Sequence, residues 1–87
     1  MHDEHFISVI QNVLKLETLD PVANRAEIEK ICLAEIHRLK QEGISVDHKL
    51  YEFLDDYDIR IRDAAYRRSQ SAQVLAILER ILQSDSE

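Results

Sequence analysis

Residues 50–82, LYEFLDDYDIRIRDAAYRRSQSAQVLAILERIL, carry the pattern that decides the fold. Leu50, Leu54, Tyr57, Ile61, Ala64, Arg68, Ser71, Leu75, Leu78 and Leu82 follow one another at alternating spacings of four and three residues. That is the rhythm of a helix packed lengthwise against another helix. Only Arg68 and Ser71 place a polar side chain in it. The apolar members, with Ala65 and Ala72 beside them, form the expected helix seam or oligomer interface. The small residues Ala64, Ala65, Ser69, Ser71 and Ala72 mark the expected crossing point, because small side chains let a second helix approach closely.

Nothing forbids helix from Val46 to Gln83, which would be about 57 Å long at about 1.5 Å per residue. A compact chain of 87 residues has a radius of gyration of about 12 Å and a diameter of roughly 30 Å. Such a helix must bend back or find a partner for its overhang. A stop at Asp55–Asp58 would set carboxylates at a negative helix end and Arg60 and Arg62 at a positive start. A continuous helix instead pairs Asp56 with Arg60, Asp58 with Arg62 and Asp63 with Arg67 at i,i+4, about 0.3–0.5 kcal/mol each. Continuity is therefore expected through Asp55–Asp63. The expected bend is at Ser69–Ser71, where Arg67 and Arg68 suit a helix end and a serine suits the next cap.

Upstream, Phe6, Val9, Ile10, Val13, Leu14 and Leu16 give a broad apolar helix face, with Asp3 and Glu4 at its positive end. Asp20 before Pro21 suits a helix start, and Asn24 with Glu27 offers a second one. Ile28, Ile31, Cys32, Ile36 and Leu39 line the next helix, which Gly43 closes in the left-handed conformation. Ser45 is the expected cap of the helix after it. One glycine and one proline in the chain leave β-hairpins little to turn on. The fold class is all-α: an antiparallel bundle of three to four helices at about 4–17, 22–42, 46–68 and 71–83, the last two possible as one long helix. Residues 1–87 form a single domain, with a frayed polar tail over 84–87.

Hydrophobic residues at 45% suffice for a core, and charged residues at 32% for a soluble surface. The net charge of −6 argues against a general nucleic-acid binder, which needs a cationic face to displace counterions. Cys32 is the single cysteine, which excludes an intrachain disulfide and reads as a small buried hydrophobe. The opening Met1-His2-Asp3-Glu4-His5 lacks the cationic start and apolar run of a signal peptide. No stretch is apolar enough to span a membrane, so a cytoplasmic location is expected.

No residue set converges on catalysis. His2 and His5 flank two carboxylates at a terminus without the three or four ligands a metal site needs. His37 and Glu35 do not face each other on a helix, and the Glu-x-x-His signature of di-iron bundles is missing. His48 reads as solvated. One glycine cannot build a nucleotide-binding loop. No cofactor, no metal site and no enzyme activity are expected.

What remains is charge. Glu52, Asp55, Asp56 and Asp58 make an acidic patch, read as a solvated face or a docking surface for a basic partner. Arg60, Arg62, Arg67 and Arg68 are the one basic concentration, with Tyr66 at its rim. Glu52, Asp55, Asp56, Arg60, Arg67, Arg68 and Tyr66 are thus the candidate partner-binding residues. The expected function is a small acidic helical interaction module: a regulator, inhibitor, immunity protein or secretion co-chaperone, of bacterial or phage type, acting as a homodimer or hetero-complex. The alternatives are a nucleic-acid-associated regulator using the Arg60–Arg68 face, and a helical-bundle enzyme or metal carrier.

Overall fold

The computed structural model describes residues 3–85. Five helices follow one another: α1 (Glu4–Leu19), α2 (Arg25–Glu42), α3 (His48–Asp55), α4 (Tyr57–Arg62) and α5 (Ala64–Asp85). No strand occurs among the described residues. The all-α bundle is as expected; its helix count and break points are not.

Local chemistry explains the ends. Asp3 caps α1, its Oδ1 accepting from the Phe6 N–H at 2.8 Å. That bond, made to the ionised form, holds its carboxyl below the usual range. After α1, Asp20 Oδ1 accepts from the Ala23 N–H at 3.0 Å and shapes the turn. Helix α2 itself starts after Asn24, whose side chain makes no cap bond. Instead, Asn24 Nδ2 donates to the Leu16 carbonyl at 3.1 Å and ties the turn to the end of α1. Gly43 closes α2 at φ 65, the left-handed conformation a side chain would resist. The cap of α3 is Asp47 and not Ser45; its carboxylate accepts from the Lys49 and Leu50 N–H groups.

The core gathers Phe6, Ile10 and Val13 of α1, Ile28, Cys32 and Leu39 of α2, Leu50, Phe53 and Leu54 of α3, Ile61 of α4, and Val74, Ile77 and Leu78 of α5. Burial pushes the Cys32 thiol up to about 12, so it is a packed hydrophobe and not a reactive group.

The expected continuity through Asp55–Asp63 is overturned. Asp56 leaves helical geometry between α3 and α4 at φ −92, ψ 14, and Asp63 is fully extended at φ −126, ψ 105. The expected bend at Ser69–Ser71 is overturned as well, because α5 runs through it unbroken. Of the three charge pairs that favoured continuity, Asp58–Arg62 forms at 3.2 Å. Asp63 instead caps α5, accepting from the Tyr66 N–H at 3.0 Å, and Arg60 turns inward. Two exposed pairs at a few tenths of a kcal/mol each lose to a cap of about 1 kcal/mol and a buried network.

The overhang vanishes with these breaks. Helix α5, about 33 Å long at about 1.5 Å per residue, is no longer than the molecule's longest dimension of 36 Å, and the radius of gyration is 12.6 Å. Of the polar tail expected over 84–87, α5 takes in 84 and 85, and the last two residues lie outside those described.

Candidate functional site

The deepest polar group is Arg60, a fully buried arginine. Its Nε donates to Glu17 Oε1 at 3.0 Å, and its Nη2 to Glu17 Oε2 at 3.0 Å. Nη1 donates to the Phe53 carbonyl and, at 2.7 Å, to Gln70 Oε1. The guanidinium lies 3.7 Å from the centroid of the Phe53 ring. Gln70 Nε2 passes the network on to Asp56 Oδ2 at 3.0 Å, where the Tyr66 hydroxyl also donates at 2.7 Å. That bond to a carboxylate raises the Tyr66 phenol above its ordinary value. One side chain thereby joins α1, α3, α4 and α5. No buried side-chain polar atom among the described residues lacks a partner, so the cluster is closed and offers no free group for chemistry.

A second cluster pins the other end of α1. Arg38 donates to both oxygens of buried Glu35 at 2.8 Å and to Asp3 Oδ1 at 3.1 Å. These bonds raise Arg38 further above its ordinary value, those to Glu35 most. His5 Nε2 stands 3.5 Å from Glu35. His2 lies outside the described residues.

The structure separates the sequence-derived partner residues. Arg60 is a correction: it is sealed in the interior and presents nothing to a partner. Asp56 is half-buried and already holds Gln70 and Tyr66. Glu52 is exposed and meets the solvated His48 at 2.8 Å. Asp55, Tyr66 and Arg68 are exposed; Arg67 is half-buried, its Nη1 donating to the Arg60 carbonyl at 3.0 Å.

The seam is divided as well. Leu50, Leu54, Ile61 and Leu78 are buried, and Tyr57 is half-buried with its hydroxyl on Glu29 at 2.8 Å. Ala64, Ala65, Ala72, Leu75 and Leu82 face outward, Leu75 at 51% and Leu82 at 46% exposure. The small residues are therefore not a crossing point within the chain. Helix α5 buries Gln70, Val74, Ile77 and Leu78 instead, because the extended residue Asp63 resets the helical phase.

Two concavities lie between α1 and α5. One, of about 430 Å³, is lined by Phe6 and Ile7 of α1, Val46, Leu50 of α3, and Ile77 and Ile81 of α5, with Asp3, Asp47 and Arg80 among its polar groups. The other, of about 270 Å³, joins Leu14, Lys15 and Thr18 of α1 to Arg67, Arg68, Ser71 and Leu75 of α5. The start of α1 shares a concavity with the end of α5 and the reverse, so the two helices run antiparallel. Glu17 also lines the second groove, but its carboxylate belongs to Arg60.

Among the described residues, no group of three or more His, Cys, Asp and Glu gathers to hold a metal ion. No helix there is long and apolar enough to cross a membrane. The buried polar residues Glu17, Glu35 and Gln70 were not among the candidates, although their registers point inward. Phe6-Ile10-Val13-Glu17, Ile28-Cys32-Glu35-Leu39 and Gln70-Val74-Ile77-Ile81 each repeat the four-three-four spacing. Compared with protein-family models, curated proteins and solved structures, the chain matches none.

Proposed function

We propose that this chain is a small helical protein–protein interaction module, acting on a protein partner as a regulator, inhibitor, immunity protein or secretion co-chaperone. The observation that carries the reading is the outward face of α5. Ala65, Ala72, Leu75 and Leu82 lie exposed along it, with Arg68 among them. Single exposed leucines are ordinary, but two leucines two turns apart on one helix, preceded on the same face by Ala65 and Ala72, form a stripe that a second surface can cover. The polar clusters are closed and serve the fold. The nucleic-acid reading loses its first residue, since Arg60 is enclosed and the remaining cations sit on a chain of net charge −6.

Affinity capture from the source cell with mass spectrometry, run with the wild-type chain and with a Leu75→Glu, Leu82→Glu variant, tests the reading. The expected result is a defined protein retained by the wild type, lost by the variant, and co-sedimenting with the wild type at stoichiometric ratio. A wild-type chain that sediments as a monomer and retains nothing the variant does not would contradict it.

A further inference from the structure

We infer that the groove between α1 and α5 receives an acidic amphipathic helix from a protein partner. The inference rests on the interaction-module reading and names the partner's chemistry. Its floor is apolar, with Leu14 on one side and Leu75 on the other, and its rim holds Lys15, Arg67 and Arg68. None of these three cations has an ion-pair partner among the described residues. Arg25, Arg38, Arg60 and Arg62 are each paired with a carboxylate. Lys30, Lys40, Lys49 and Arg80 form no ion pair among the described residues either, and what distinguishes the groove is that three such cations gather at one apolar floor. With Glu17, which also lines it, the groove carries +2 and leaves −8 for the rest of the chain, since the total is −6. A concentrated positive rim on so acidic a molecule selects a partner segment of opposite sign and disfavours the groove-to-groove contact of a symmetric dimer.

Shape decides what kind of anion fits. A volume of about 270 Å³ lies below the range of small-ligand pockets, about 300–1,000 Å³, and suits one or two aliphatic side chains. Flanking antiparallel helices offer the trough into which a third helix lays an i, i+3/i+4, i+7 stripe. Carboxylates on either side of that stripe would meet Lys15 on α1 and Arg67 and Arg68 on α5. A nucleic acid finds only three phosphate contacts here, on a leucine floor, with acidic surface beyond.

The test is selection of a displayed library of random 16-residue peptides on the full chain, followed by ¹⁵N chemical-shift mapping of the enriched peptides. Expected are peptides combining leucine-type residues at helical spacing with Asp or Glu, shifting Leu14, Ser71 and Leu75. Their binding should weaken at least tenfold in Lys15→Glu and in Arg68→Glu, two exposed positions. It should also weaken as salt rises from about 0.1 to about 1 M, where screening shortens from about 10 to about 3 Å. Enriched peptides without acidic residues, or shifts confined to another face, overturn the groove assignment while leaving an interaction module standing. Failure to enrich any peptide overturns it too, with cellular capture then deciding the broader reading separately. Self-association abolished by Leu75→Ser, or a 20-base-pair DNA duplex shifting the same resonances, assigns the groove to another occupant and equally overturns it.

Discussion

The arginine-rich run divides at Asp63, and its two halves meet opposite environments. On the α4 side, Arg60 is enclosed, stacked on Phe53 and bonded to Glu17 and Gln70. On the α5 side, Arg68 stands in solvent at the rim of a leucine-floored groove, beside Arg67 and across from Lys15. The same residue type is a fold element in one place and an exposed charge without an ion-pair partner among the described residues in the other. What separates them is the extended backbone at Asp63. It sets the phase of α5 so that Gln70, and not Arg68, points at the core.

The sharpest way to break this contrast is to remove the inner arginine. Arg60→Ala leaves the Glu17 carboxylate buried without its partner, and urea unfolding should show a loss of about 3–5 kcal/mol. Against the 5–15 kcal/mol typical of whole domains, that is enough to leave much of the chain unfolded. An Arg60→Met, Glu17→Leu double variant should recover part of it, since a buried ion pair is often matched by apolar groups of similar volume. A residual deficit of about 1–3 kcal/mol is expected, because Gln70 and the Phe53 carbonyl lose a donor. Equal destabilisation by single and double variants would show that the arginine matters for packing alone.

Asp63→Ala removes the cap that resets the phase and should cost about 1 kcal/mol in the same assay. The smaller contribution of Asp3 is legible in pH. Its folded carboxyl lies below its ordinary value, so the stability it lends is present above that ordinary value and is lost as pH falls through the lowered one. The difference in unfolding free energy between wild type and Asp3→Ala should be constant near neutrality and shrink below about pH 4. A difference that grows on acidification would reverse the assigned sign.

Much of the architecture was legible in residue spacing, and the failures have one physical source. The faces of α1 and α2 were read from Phe6, Ile10, Val13, Ile28, Cys32 and Leu39, all of which are buried, and Gly43 closes α2 as its sequence position implied. Apolar periodicity cannot register a buried polar residue. Glu17, Glu35, Arg60 and Gln70 occupy inward positions, yet each reads as surface when judged by residue type. Their partners lie far along the chain, as with Glu17 and Arg60, and no local rule connects them. Helix α5 compounds the problem by carrying two apolar stripes. Val74, Ile77 and Leu78 face the core, whereas Leu75 and Leu82 belong to the rhythm visible in sequence and face solvent. The groove cations Arg67 and Arg68 were legible as a concentration of charge, but Lys15 joins them only because the end of α1 and the start of α5 line one groove.

The most direct test of the division between inner and outer arginines is the dissociation constant of a library-selected acidic peptide for Arg68→Glu, set against the wild type. The predicted result is at least tenfold weaker binding, about 1.4 kcal/mol, with the urea midpoint unchanged within about 0.5 kcal/mol of stability. Equal affinity in the two proteins would contradict the account, because it would leave the outer arginine without a role in recognition.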